Sequence, residues 1–200
     1  SLSHLEDSLD LAALLSIEAI NNADTLPARG SLLSALQYYP QLDRYLHEHA
    51  GRVGAVAFHP GGELLVTAGC AAEDPVSKSC SEGEILLWDV QQGELIQRLE
   101  AVHTGFMSDL AFSADGSMMA SSSWGGVIAL WDTETWQLTV QPIITETTGR
   151  LLGVEFYPDG GTLVSSHEAS LPDPVSGTNQ ISAEIYFWDT ATGELVERIP

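Results

Sequence analysis

Ile85-Leu-Leu-Trp88-Asp89, Ile128-Ala-Leu-Trp131-Asp132 and Ile185-Tyr-Phe-Trp188-Asp189 are three copies of one pattern, an apolar run closed by Trp-Asp. Working outward, each copy has the same antecedents. An apolar run lies upstream at Leu64 to Thr67, Met118 to Ser121 and Leu163 to Ser166. Before it come the turns Pro60-Gly61-Gly62, Ala114-Asp115-Gly116 and Pro158-Asp159-Gly160. Before those come Val53-Gly-Ala-Val-Ala-Phe58, Met107-Ser-Asp-Leu-Ala-Phe112 and Leu151-Leu-Gly-Val-Glu-Phe156. Gly93-Glu-Leu-Ile and Gly193-Glu-Leu-Val supply a further turn and short strand in the outer copies. Runs of four to six β-forming residues, separated by Asp-Gly and Gly-Gly turn signals, predict four short strands per unit. One such unit cannot bury both faces of its sheet, so the units stack on one another.

Together these motifs resemble the repeat of WD-repeat β-propellers over residues 46–200. The predicted fold class is mainly β: a partial WD-repeat β-propeller of three four-stranded blades (about 50–100, 101–143 and 147–200) after two short N-terminal helices. Propellers close with four to eight blades, so three imply further blades in cis or a second chain to complete the ring. The chain is therefore expected to be part of a longer propeller.

The repeats are not equal in length. Phe112 to Trp131 takes 19 residues, against 30 from Phe58 to Trp88 and 32 from Phe156 to Trp188. The excess predicts long loops over 71–84 and 168–184, which contain the same tetrapeptide, Asp74-Pro-Val-Ser77 and Asp173-Pro-Val-Ser176. Duplication of a two-blade unit accounts for that alternation, and a parent chain lacking it further on would refute the idea.

Residues 1–45 differ in kind. Ser3 and Glu6 form a potential capping box, and Leu9, Ala13, Ile17 and Ile20 follow helical spacing. Thr25 and Pro27 can begin a second helix that runs to Pro40. The text Leu11-Ala-Ala-Leu-Leu-Ser-Ile-Glu-Ala-Ile, followed by Ala28-Arg-Gly-Ser-Leu-Leu-Ser-Ala-Leu, resembles the helical connector between a bacterial STAND-class signal-transduction NTPase and its WD-repeat propeller. The resemblance implies the sensing or scaffolding end of a signalling protein. Residues 42–49 resemble an outer strand preceding a first repeat, with a continued helix as the competing reading.

Composition narrows the partners. Twenty-eight acids face seven Lys and Arg, a net charge of −21. Such a field repels phosphate backbones and anionic lipid, so neither nucleic acid nor membrane is expected as a partner. No apolar run approaches the roughly 18 residues needed to cross a bilayer. Cys70 and Cys80 are too few for a disulfide scaffold, and a cytoplasmic setting predicts two free thiols, although oxidation could close the loop between them. The sole lysine, Lys78, follows no phosphate-loop glycine pair. No Cys/His spacing suggests zinc, and the alternating acidic pattern of a calcium loop is missing. No cofactor and no metal are expected.

The resemblance also implies a buried hydrogen-bonded set in each blade: His, Ser or Thr, acid and Trp. Carried onto this sequence it is His49, Thr67, Glu82 and Trp88 in blade one. Blade two has His103, Ser121 and Trp131, with Gly125 at the acid's place. Blade three has Ser165 and Trp188, with Thr147 and Ser182 at the remaining places. The competing reading, a Ser-His-acid catalytic triad, is disfavoured because such a set gives a blade its shape rather than serving a pocket. Arg52, Phe106 and Arg150 occupy one equivalent position, which the resemblance puts on the top face where partners bind. Trp124 on the short loop is an exposed aromatic candidate, and Asp74 and Asp173 lie on the long loops. The plain alternative has Arg52 and Arg150 pairing with local acids such as Glu73 or Glu168. The expected function is a non-enzymatic protein-interaction scaffold or sensor, with a self-assembling propeller unit or a channel hydrolase as the contrasting classes. Channel-facing first strands offer a hydrolase only Asp109 and Glu155.

Overall fold

The computed structural model describes residues 46–74, 76–99, 102–145, 150–172 and 179–199, with side chains except those of 169–172 and 179–182. The two expected helices, the connector and Asp173 lie outside the described residues. Twelve strands occupy the described chain. They are β1 Val53–Phe58, β2 Leu64–Glu73, β3 Cys80–Asp89, β4 Leu95–Arg98, β5 Met107–Phe112 and β6 Met118–Ser123. They continue with β7 Val127–Asp132, β8 Ile143–Ile144, β9 Leu151–Phe156, β10 Thr162–Pro172, β11 Asn179–Asp189 and β12 Leu195–Ile199. Three antiparallel sheets result, each ordered as its strands run in sequence, β1 to β4, β5 to β8 and β9 to β12. Each sequence repeat is thus one blade.

Register explains why the Trp-Asp motif recurs. Trp88, Trp131 and Trp188 stand opposite Leu65, Met119 and Leu163. In each blade the indole points to the same face as the hydroxyl residue on the neighbouring strand, because side chains on one face alternate by two. The blades meet through two apolar layers. Val66, Ala68, Ile85 and Leu87 of blade one pack against Met107, Met119, Ala129 and Trp131 of blade two. Ala120, Ile128 and Leu130 of blade two pack against Leu163, Tyr186 and Trp188 of blade three. The matching face of blade three, Val164, Ile185 and Phe187, is not closed in this way: Ile185 is 40% exposed, whereas Ile85 is 2% and Ile128 0%.

Two glycine positions carry local weight. A Cβ on Gly54 would lie 2.1 Å from the Met107 carbonyl oxygen, so the close approach of β1 to β5 admits no side chain. The turn after Trp-Asp needs positive φ, supplied by Gly93 (68°) and Gly193 (74°), but blade two places Trp136 there at 56°. Trp136 offsets the strain of a left-handed non-glycine residue by packing its indole on the layer between blades one and two.

The long loops are a correction. β2 and β3 run as a hairpin to Glu73 opposite Cys80, and β10 and β11 to Pro172 opposite Asn179. The extra residues lengthen strands, leaving only 74–79 as the connection in blade one. The free thiols are a second correction. Cys70 and Cys80 form a disulfide with Cα atoms 5.8 Å apart, beside the bulges that follow Cys70 in the β2–β3 pairing.

Candidate functional site

Two constellations compete as the working site. The first is the interior polar set. Trp88, Trp131 and Trp188 each donate an indole N–H at 2.8 Å to Thr67 Oγ1, Ser121 Oγ and Ser165 Oγ. Each hydroxyl also meets a histidine Nε2 at 2.7 Å, from His49, His103 and His167. In blade one His49 Nδ1 contacts Glu84 Oε1 at 2.8 Å, so hydroxyl, imidazole and carboxylate stand in a chain. That order resembles a catalytic triad, but the hydroxyl is committed to the indole. Thr67 and Trp88 are buried, at 8% and 2% exposed. A nucleophile needs access to its substrate, so this arrangement holds a blade together.

Several sequence assignments shift here. The carboxylate beside His49 is Glu84, whereas Glu82 is exposed. Blade three uses Glu184, which takes a hydrogen bond from Tyr186 Oη at 2.8 Å and pairs with Arg198. Its histidine is His167 from β10 itself; Thr147 and the Ser182 side chain lie outside the described residues. The blade-two equivalent of these acids is buried Val127 rather than Gly125. Glu84 further binds Arg98 Nη1 at 2.9 Å, and Arg98 Nη2 reaches Glu48 Oε2 at 2.7 Å. The signal that could have found these groups is offset from the tryptophan: Glu84 and Glu184 both lie four residues before it, and Arg98 and Arg198 ten after it. Asp109, the hydrolase candidate, accepts the Val154 backbone N–H at 3.0 Å and joins blades two and three. Glu155 is exposed.

Protonation follows burial. Desolvation lowers the His103 and His167 pKa values to about 4, with Glu184 partly opposing it at His167. Burial also lowers that of His49, against the opposing pull of Glu84. A neutral His103 is hydrogen-bonded at both ring nitrogens, Nε2 with Ser121 Oγ at 2.7 Å and Nδ1 with Ser123 Oγ at 3.3 Å, one as donor and the other as acceptor. The hydrogen bond from Arg198, then that from Tyr186, holds the Glu184 carboxyl below its ordinary range.

The second constellation lies at the end of the sheets where β1, β5 and β9 begin. Arg52, Phe106 and Arg150 precede these strands, and their carbonyls accept equivalent bonds from the backbone N–H of Cys70 (3.0 Å), Trp124 (2.8 Å) and Glu168 (2.8 Å). The Arg52 guanidinium carbon lies 4.4 Å from the Phe106 ring centroid, and that of Arg150 lies 4.5 Å from the Trp124 ring. Phe106 and Trp124 meet edge to face at 5.2 Å. One strip, Arg52–Phe106–Trp124–Arg150, therefore crosses all three blades. Each cation–π contact of this exposed kind is worth about 0.5–1 kcal/mol.

Beside the strip is a groove of ≈ 250 Å³ whose floor includes Val53, Gly54, Met107 and Leu152. Trp124 is 41% exposed and Leu152 47%. Arg52 also meets Glu73 (Nε to Oε2, 3.5 Å) and donates from Nη2 to the Lys78 carbonyl at 2.9 Å, so the plain ion-pair alternative holds for it in part. Arg150 and Glu168 meet only through the backbone bond given above. Asp74 turns inward on its own connection, accepting from Val76 N, Ser77 N and Ser77 Oγ; these bonds, the Ser77 backbone first, lower its carboxyl pKa. The strip offers stacking surface, guanidinium donors and an apolar groove, with no nucleophile or base among its four members. It is suited to holding a partner.

The WD40 model, "WD domain, G-beta repeat", matches residues 41–89 and 93–132. Those two stretches, which hold blades one and two, are similar to WD40 repeats. Periodic tryptophan protein 2 homolog of Schizosaccharomyces pombe is 35% identical over 96 residues, covering 46% of this chain and 11% of the relative. Human apoptotic protease-activating factor 1 is 33% identical over 130 residues, 60% of this chain and 9% of that one. This chain therefore spans about a tenth of the length of these curated relatives. Among solved structures, U3-55K aligns with a TM-score of 0.57 at 19% identity, over 78% of this chain and 41% of its own. The Myceliophteria thermophila Cps50 (Swd1) β-propeller domain aligns at 0.54 and 16%, over 76% and 38%. The three blades thus share the WD40 propeller fold.

Proposed function

We propose that these blades are a non-catalytic docking platform on which a partner protein seats across the Arg52–Phe106–Trp124–Arg150 strip. The observation that carries the reading is the contribution of all three blades to one exposed strip of arginine and aromatic residues, the side chains that interface centres favour. The half-exposed Ile185 face supports a further sheet, in cis or from a second chain, packing on blade three. The acidic composition favours a protein over nucleic acid or lipid as partner.

A signalling role upstream of the blades rests on the connector resemblance alone. The relatives named above are eukaryotic, and they lend a bacterial source no support. A cytoplasmic setting is likewise proposed on composition, and the Cys70–Cys80 disulfide weighs against it, since such bonds persist in oxidising compartments. The test compares partner capture by the intact chain with capture by the combined Arg52→Glu, Phe106→Ala, Arg150→Glu variant. Loss of capture with an unchanged thermal melt is expected; undiminished capture removes the strip from the account.

A further inference from the structure

Resting on the docking reading above, we infer that the segment seated on the strip is acidic: a short stretch of partner chain that places an Asp or Glu carboxylate on Arg150 and a neighbouring apolar side chain in the groove. The first argument is that the strip's aromatic rings already carry cations. Arg52 stacks on one face of Phe106 and Arg150 on one face of Trp124, so a lysine or arginine from a partner meets like charge at both ends of the strip.

The second argument concerns the planar edge of each guanidinium. Stacking uses the face of the group and leaves its N–H fork pointing outward in the plane. The fork of Arg52 is engaged with Glu73 and the Lys78 carbonyl. Lys78 shares Glu73, Arg98 is held by Glu84 and Glu48, and Arg198 by Glu184. Among the described cations Arg150 alone has no acid, and its exposed fork matches a carboxylate's two oxygens.

The third argument is the apolar surface that adjoins this cation. Leu152, two residues on from Arg150, is 47% exposed and lines the same groove as Val53, which is 53% exposed. An acidic residue flanked by Leu, Ile, Val or Phe satisfies both features at once. The net charge of −21 sets a limit on the occupant's length. One or two carboxylates are held locally by Arg150, but an extended polyanion such as nucleic acid is repelled by the surrounding acids.

The experiment selects a random linear-peptide display library on the intact chain, then measures the enriched peptides by titration. The expected result is enrichment of Asp or Glu beside an apolar residue, with binding weakened about tenfold or more by Arg150→Glu and less by Arg150→Lys. Arg150→Gln serves as the neutral control, and circular dichroism checks that each variant stays folded. Acidic peptides that bind Arg150→Glu undiminished, basic or uncharged enriched peptides, or no enrichment at all would each overturn the inference. Titration against Trp124→Ala separates the two readings. Peptides lost with Trp124→Ala but indifferent to Arg150 refute the acidic occupant and leave the docking strip standing. Peptides indifferent to both variants remove the strip itself.

Discussion

Blade two and its two neighbours solve the same packing problem differently. In blade two His103, Ser121, Ser122 and Ser123 are all buried, and Val127 stands where the neighbours have a carboxylate. Blades one and three instead run the polar chain outward, through Glu84 to Arg98 and through Glu184 to Arg198, whose guanidiniums are about half exposed. The difference follows from desolvation. A carboxylate inside the sandwiched blade would lose its water with little return, whereas at the flanks an arginine reaches it and compensates its burial, as Arg198 does for buried Glu184. The histidine hydroxyl pair therefore closes as a neutral set in the middle and as a charged chain at the edges.

The largest expected effect is of pH. His103 is neutral in the fold with a pKa of about 4 and ionises near 6.5 when unfolded. The unfolded chain then binds the extra proton, so stability is complete above pH 6.5 and falls as pH drops toward 4. The loss is on the order of 3 kcal/mol across that window, at about 1.4 kcal/mol per pKa unit. Urea titrations of the intact chain at several pH values check this, and His103→Asn should remove its share of the slope while leaving that of His167, whose pKa is lowered likewise; an unchanged slope would refute the His103 assignment.

Next in size is Ser121→Ala, which leaves both the Trp131 indole N–H and His103 Nε2 buried without their shared partner. A loss of about 2–3 kcal/mol is expected, exceeding that of Thr67→Ala in blade one, where His49 keeps Glu84. Equal losses in parallel denaturation curves would mean that burial does not distinguish the blades.

Blade three holds a hairpin as long as that of blade one without a disulfide, which sharpens the comparison again. Cys70→Ala with Cys80→Ala, or reduction by a phosphine, should cost roughly 2 kcal/mol by freeing the ten-residue closure in the unfolded chain. The smallest effect is expected from Arg98→Met, about 0.5–1 kcal/mol and weaker at high salt, since Arg98 is 46% exposed. A larger loss by differential scanning calorimetry would show the edge clamp to be more than a surface ion pair.

The blade boundaries were legible because Trp-Asp marks the end of β3, β7 and β11 and turn glycines mark the rest. The acids were not, because the β2–β3 excess was read as loop. Once the hairpin is extended, Glu84 rather than Glu82 faces the histidine, and the bulges after Cys70 are invisible in the residue spacing. His167 was overlooked for a different reason. The resemblance seeks a histidine before the first strand, whereas Ser165 and His167 share a face of β10 by simple alternation. Arg52, Phe106 and Arg150 follow from equivalence of position and Trp124 from its place on the short loop, but their assembly depends on blade-to-blade distance, which the residue order does not encode.

Hydrogen–deuterium exchange on the intact chain with its captured partner tests the docking surface most directly. Protection is expected at 50–54, 104–108, 122–126 and 150–153, with the outer strands β4 and β12 exchanging as before. Protection confined to β4 and β12, with the strip unchanged, would contradict the account.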